Sequence, residues 1–323
     1  MTAHGKRYPL IVFTFSPGAD SAGTAVLLLD PADLLQICNP GRESKVLPIQ
    51  TKEDRMPHTS PSVQLYTVRG AISEDLTGAI ARIAEIGYTQ VEPYAFADRT
   101  SELAKAMANA GVTAPSGHAS VIDAKDPDRI FDAAAELGIG TIIDPFVPSE
   151  RWQSADDAYR IADRVNELQS LAAEQNLQFG YHNHQWEFAN KVDGRPVYSF
   201  FVDRLSSGVV LELDTFWSTV GGMDTPALLR SLGSRVQFIH VKDGTVDGDI
   251  ATSLPSSESA LDVPDTLAAA FKRQTPAGQG DVGVLEILAA APHATRVVEF
   301  DDYALDIFDG VAESLAWLKE NDK

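Results

Sequence analysis

In the stretch FGYHNHQWEF, His182 and His184 flank a single asparagine and Glu187 follows three places on. Such groups can ligate a metal, pass protons, or pack as ordinary hydrogen-bonded strand residues. Three later stretches carry comparable pairs: Glu212 with Asp214 in VVLELDTF, His240 with Lys242 in VQFIHVKD, and Glu299 with Asp301 in RVVEFDD. Side chains two apart on a strand share a face, so each pair points one way if these stretches are strands. In VVLELDTF the outward set is Leu211, Leu213 and Thr215, which turns Glu212 and Asp214 inward. Imidazole and carboxylate ligands suit a divalent cation such as Mn, Mg, Co or Zn. Two carboxylates offset its charge while the imidazoles stay neutral. Without a cation, the carboxylates must take up protons or pair with Lys242. His182, Asp214, His240 and Glu299 are therefore the expected metal set. A lone strand-end histidine or Glu-x-Asp is more often structural or solvated, but four coincident strand ends outweigh that reading.

These pairs need a scaffold that brings strand ends together, and the chain supplies a regular alternation. Strand candidates occur at 62–68, 87–94, 111–118, 138–146, 176–184, 207–217, 235–243 and 295–302, with helical periodicity between and after them. Gly87, Gly111, Gly138 and Asn176 each follow the last periodic residue of a helix, where a left-handed cap is wanted. Strands alternating with helices require parallel pairing. Eight such units over residues 62–323 match the ~250 residues typical of a closed (β/α)₈ TIM barrel, so an α/β barrel is expected. The rival, an open doubly wound sheet, lacks its glycine-rich phosphate loop, since SVQLYTVRGAISED holds one glycine. In barrels the chemistry lies at the C-terminal strand ends, where the pairs fall.

Composition narrows the partners. Of 323 residues, 44% are hydrophobic and 22% charged, the balance of a folding domain. No apolar run approaches the roughly 20 residues of a membrane helix. A formal net charge of −20 opposes binding to nucleic acid or anionic membranes over the general surface. Cys38 stands alone, so neither an internal disulfide nor a thiolate metal cluster is expected, and a reducing, cytoplasmic compartment is the default. Residues 1–57 break the rhythm. Their apolar runs LIVFTF and AVLLL have no pairing partner within the segment, and RESKVLPIQTKEDRMPHTSP reads as a linker. An N-terminal extension over 1–57, disordered or preceding a true start at Met56, and a barrel domain over 58–323 are expected.

Taken in order, YHNHQWEF, LELDTFW, HVKDG, GQGDVGVLEIL and VVEFDD resemble the xylose-isomerase-like TIM-barrel proteins, which include sugar phosphate isomerases and epimerases and inosose dehydratases. The likeness spans about residues 62–323. In the isomerase and epimerase branches it implies a divalent metal held by Glu, Asp, His and Glu. Asp214, His240 and Glu299 match the last three positions, whereas His182 stands where the epimerase pattern has glutamate. Those epimerases are thought to use the two glutamates as an acid–base pair about an enediolate, and the histidine breaks that symmetry. Glu299 then serves as base from one side and His184 from the other, with Lys242 steadying a developing oxyanion. Glu187 is expected to accept sugar hydroxyls. Trp217 is expected to stack on a sugar face or to pack in the core. Gln64, Glu92 and His118 are second-tier residues of the same mouth.

The expected activity is a sugar or keto-sugar isomerase or epimerase working through an enediolate. The alternative is a lyase on keto-sugars or keto-inositols, dehydrating them or cleaving 3-keto-glycosides. An abasic-site endonuclease and a non-catalytic sugar-binding barrel are weaker readings. The long connection 244–280 is expected to form a lid or substrate wall, and a homo-oligomer is open.

Overall fold

The computed structural model describes residues 60–247, 250–251, 254 and 263–322. The extension 1–57, Cys38 and most of PSSESALDVPD lie outside the described residues.

The strands are β1 (Ser62–Val63), β2 (Ser116–His118), β3 (Thr141–Asp144), β4 (Gln178–His182), β5 (Val210–Asp214), β6 (Val236–Val241) and β7 (Thr295–Val298). They form one parallel sheet in the order β1-β7-β6-β5-β4-β3-β2. The eighth position, expected at 87–94, is reduced to isolated parallel bridges that close the ring: Gln64 with Glu92, Gln90 with Thr113, and Tyr94 with His118. The chain thus builds the (β/α)₈ barrel that its alternation implies.

The first strand is shorter than the expected 62–68. The Gln64 side chain accepts the Tyr66 N–H, and Leu65–Val68 winds into a 3₁₀ turn that turns Tyr66 toward the barrel mouth. The outer helices are α1 (Arg69–Ile86), α2 (Thr100–Ala110), α3 (Pro127–Leu137), α4 (Ala155–Glu174), α5 (Val197–Arg204), α6 (Thr225–Leu232), α7 (Val284–Ala290) and α8 (Ile307–Asn321). Gly87, Gly111, Gly138 and Asn176 all take positive φ, as the cap reading requires. Asp126, Ser154, Asp224 and Asp306 cap α3, α4, α6 and α8 with side-chain oxygens on early N–H groups. Helix α1 breaks at Asp75, whose carboxylate re-caps the chain by accepting the Gly78 N–H.

Inside the ring, Ile143, Val210, Phe238 and Val297 form a buried apolar plug. Gly180 belongs to the same level. A Cβ there would lie 2.6 Å from the Val210 carbonyl oxygen, so only glycine lets β4 approach β5 this closely. By strand parity the residues one pleat higher are His182, Glu212, His240 and Glu299, and the plug therefore becomes the floor of the site. A register shift between Leu211 and Glu212 sets Asp214 opposite His240 across β5 and β6.

After β6 the chain forms a small antiparallel ribbon, Asp243–Gly244 with Gln274–Thr275. The Asp243 carboxylate accepts four backbone N–H groups, from Gly244 (2.8 Å), Gly278 (2.9 Å), Gly280 (3.0 Å) and Val282 (3.1 Å), and so moulds the turn that leads into α7. Replacing Asp243 with Ala strands these donors. Denaturant unfolding should show a loss of about 2–4 kcal/mol, and an unchanged midpoint would mean that the turn is held by other contacts.

Candidate active site

Each functional side chain enters from the last residues of a strand or the first turn beyond it. Asp214 ends β5 and also caps the short helix Thr215–Val220. Its Oδ1 accepts the Trp217 N–H at 2.8 Å, which leaves Oδ2 facing inward. His240 is fully buried between two carboxylates, with Nδ1 2.7 Å from Glu299 Oε2 and Nε2 2.9 Å from Glu92 Oε1. Lys242 Nζ lies 3.0 Å from Asp214 Oδ2, 2.7 Å from Glu299 Oε2 and 2.9 Å from Asp301 Oδ2. His182 Nε2 is 3.9 Å from Asp214 Oδ2. The sequence-expected set of His182, Asp214, His240 and Glu299 thus converges, each member offering a ligand atom within 4.8 Å of the others.

Deeper in the barrel lies a second layer, in which Glu212 is the member to which the sequence reading gave no role. Glu212, noted only as inward-facing, directs Oε2 at three imidazoles: His118 Nε2 at 2.5 Å, His240 Nε2 at 3.1 Å and His182 Nδ1 at 3.2 Å. Glu92 accepts from Gln64 Nε2 at 2.7 Å and from the Ser116 hydroxyl, and it is fully buried. His118, His182, Glu212 and His240 form an overlapping group with ligand-like spacing.

Burial and neighbours set the charges. Burial pulls the imidazoles of His118 and His240 down, but the surrounding carboxylates outweigh it, and both pKa values are raised. Burial, joined by the neighbouring His240, drives His182 down to about 3, so it is neutral. His184 is likewise held well below its ordinary value by burial. Burial pushes Glu299 up, but Lys242 and His240 overcome this and keep it anionic. Asp214 is pushed up to about 6, chiefly by burial.

A cavity of about 360 Å³ opens over this floor, with His118, His182, His184, Lys242, Glu299 and Asp301 among its lining residues. Trp217 also lines it and is packed as well: its indole is 2% exposed and lies over the Lys242 ammonium at 5.5 Å. Three expected substrate residues are placed otherwise. Gln64 and Glu92 are fully buried and bonded to each other, outside the cavity lining rather than at its mouth. Glu187 turns away from the cavity, because the chain curls into the helix Trp186–Ala189 and its carboxylate accepts the Tyr181 hydroxyl (2.8 Å) and the His184 N–H (2.7 Å). Asp301, which the sequence reading only paired with Glu299, is fixed by Gln274 through two hydrogen bonds of 2.6 and 2.7 Å. Only the ribbon could have revealed Gln274. The 244–280 connection does supply part of the wall, through Val263, Leu267 and Phe271.

The residues suit a divalent cation. Among the described residues Asp214 Oδ2 has no aligned hydrogen-bond donor, Glu212 Oε1 has no hydrogen-bond partner, and the acidic groups of the site outnumber its one ammonium. Neutral imidazole and carboxylate oxygen are donors that Zn, Mn and Co accept.

A parallel barrel whose strand ends converge on imidazoles and carboxylates is the architecture of one broad class of TIM-barrel proteins. The family model for the xylose isomerase-like TIM barrel matches residues 80–321, and the chain belongs to that family. The fold is similar to that of a sugar phosphate isomerase/epimerase from Parabacteroides distasonis (TM-score 0.58, 20% identity, 80% of this chain and 93% of that one). It is also similar to a probable 3-DHS dehydratase, AsbF, from Bacillus anthracis (TM-score 0.61, 14% identity, 81% and 99%). A third similar structure is the IOLI protein with a binding zinc atom (TM-score 0.59, 14% identity, 82% and 98%). Comparison with curated protein sequences returns no match. No described helix is long and apolar enough to cross a membrane.

Glu187 provides a pH test of this wall. Burial pushes its carboxyl up from 4.5 to about 8. Its contribution to stability is thus fully present below about 4.5 and is lost as pH rises to and through about 8, because the unfolded chain releases the proton first. Relative to Glu187→Gln, the native protein should lose thermal stability between pH 5.5 and 8 and then run parallel to the variant. Parallel curves across the whole range would show that Glu187 is ionised in the fold.

Proposed function

We propose that the chain is a metal-dependent enzyme that isomerises or epimerises a sugar or keto-sugar by moving a proton beside a carbonyl through an enediolate. One observation carries this reading: two imidazoles and two carboxylates from adjacent strand ends face one another at the floor of a cavity that a sugar can enter. His182, Asp214, His240 and Glu299 would hold the cation. When bound, it would polarise a carbonyl and an adjacent hydroxyl and offset the negative charge left by proton loss.

The remaining work falls to the chain itself. Glu299 lines the cavity as an anion and is the proton acceptor on one side. His184 lines it on the other as a neutral imidazole with an unpartnered Nδ1, and its ring is stacked on Trp186 at 4.5 Å and 3°. A neutral imidazole can take a proton or return one. Glu187 holds the His184 backbone in place from behind the wall. The Lys242 ammonium, which lines the same cavity, steadies negative charge developing on substrate oxygen.

A lyase outcome is the second reading. It is favoured by the unequal pair at the rim, one carboxylate facing one imidazole, which suits proton removal from one face and proton delivery to a leaving group from the other. Deuterium exchange separates the two. The metal-loaded enzyme is incubated in D₂O with keto-sugars and keto-inositols, and solvent deuterium in a recovered isomer is expected. Release of water or an aglycone would move the assignment to the lyase. Glu299→Gln should slow exchange by about 10²–10⁴-fold, and chelation should abolish it until Mn, Co or Zn is returned. Exchange at full rate after either treatment would refute the mechanism.

A further inference from the structure

Buried charged and imidazole groups mark one part of the cavity and half-buried aromatic rings line another, and that division assigns a substrate class. His182, Lys242 and Glu299 are buried at the floor, whereas Tyr66, Tyr94, Phe146 and Phe271 are half-buried nearer the mouth. These outer rings come from four separate segments and are braced by other rings. Tyr66 meets Tyr94 edge-on at 5.4 Å, Phe146 meets Trp186 at 5.7 Å, and Phe271 meets Trp217 at 5.9 Å. Val263 and Leu267 add apolar surface beside Phe271. A cavity of about 360 Å³ falls within the range that encloses drug-sized ligands. It has room for more than the single pyranose ring that the polar floor can serve. A sugar bound only through its hydroxyls would leave this aromatic collar in contact with water.

The charges point the same way. Among the described residues lining the cavity, Lys242 carries the only ammonium or guanidinium group, and three carboxylates already hold it. Glu299 and Asp301 line the same space. TIM barrels that bind phosphate usually do so in the loops after their last two strands. Here those loops place Asp301 in the cavity lining with Asp302 beside it, whereas their Lys272 and Arg273 are exposed and outside that lining. A phosphate dianion would lie among these acids, and the guanidinium nearest the collar, Arg69, is already engaged, over the Tyr66 ring at 4.3 Å and with the Tyr66 carbonyl at 3.1 Å, so its burial there is unfavourable.

We propose that this site takes an uncharged sugar carrying an apolar, preferably aromatic, substituent, and that it rejects phosphorylated sugars. The substituent occupies the collar formed by Tyr66, Tyr94, Phe146 and Phe271 while the sugar ring reaches the acidic floor. This inference rests on the sugar-enzyme reading above and refines it.

Calorimetric titration of the full-length, metal-loaded protein tests it with three matched probe sets. These are the methyl β-glycosides, phenyl β-glycosides and 6-phosphates of glucose, galactose and mannose. At least one phenyl glycoside should bind 10-fold or more tightly than its methyl counterpart, and no 6-phosphate should bind as well as the methyl glycoside. Phe271→Ala, a wall residue outside the proposed proton-transfer groups, should reduce the phenyl advantage at least 3-fold and leave methyl glycoside binding unchanged. Equal methyl and phenyl affinities, or a 6-phosphate that binds more tightly than either, would overturn this inference while leaving the sugar site intact. Silence from every glycoside and phosphate would overturn both it and the sugar reading.

Discussion

One ammonium among three carboxylates holds the mouth of this barrel together. Lys242 is buried, and burying a lysine alone is costly. It remains charged because Asp214, Glu299 and Asp301 face it within 3.0 Å. The reverse is equally true: those acids can share a water-poor space because Lys242 and the imidazoles of His118 and His240 offset them. The arrangement is tolerable but unbalanced, since Glu92 and Glu212 add two more acids from below. A divalent cation is the chemical complement of that surplus, and the donors left without aligned partners lie on the acids it would meet.

The layering of the barrel follows from the same constraint. The apolar plug of Ile143, Val210, Phe238 and Val297 gives a dry base, and the two pleats above it carry the titratable groups, His182, Glu212, His240 and Glu299 first, then Asp214, Lys242 and Asp301. Low dielectric strengthens each pair in that layer and raises the cost of leaving any member alone. This explains why the polar residues interlock across six strand positions and do not occur singly. The family's barrel supplies the strand ends, and this chain places acids, imidazoles and an aromatic collar on them.

Much of this could be read before any coordinates. Period-two parity was enough to turn His182, Glu212, Asp214, His240 and Glu299 inward, and helix-ending glycines marked the repeat of the barrel. Parity gives direction but not depth. Glu212 and Asp214 point the same way, yet only the β4–β5 and β5–β6 registers show that Glu212 drops among three imidazoles while Asp214 stays at the rim. Local chain path was also hidden. Glu187 has the composition of a sugar ligand, but the single helical turn at Trp186 folds it back onto Tyr181 and the His184 amide. Gln274 was beyond reach, because it meets Asp301 only through an antiparallel ribbon whose strands are about thirty residues apart in the chain.

Asp214 divides its two oxygens between unlike tasks. Oδ2 faces the acidic floor, and Oδ1 seats the first turn of the helix that carries Trp217, whose indole also lies over the Lys242 ammonium. Whatever draws on the floor, whether ion, proton or ligand, must therefore tug on a fluorophore through one peptide N–H and one cation. The protein carries its own optical gauge, wired to the place where charge is decided.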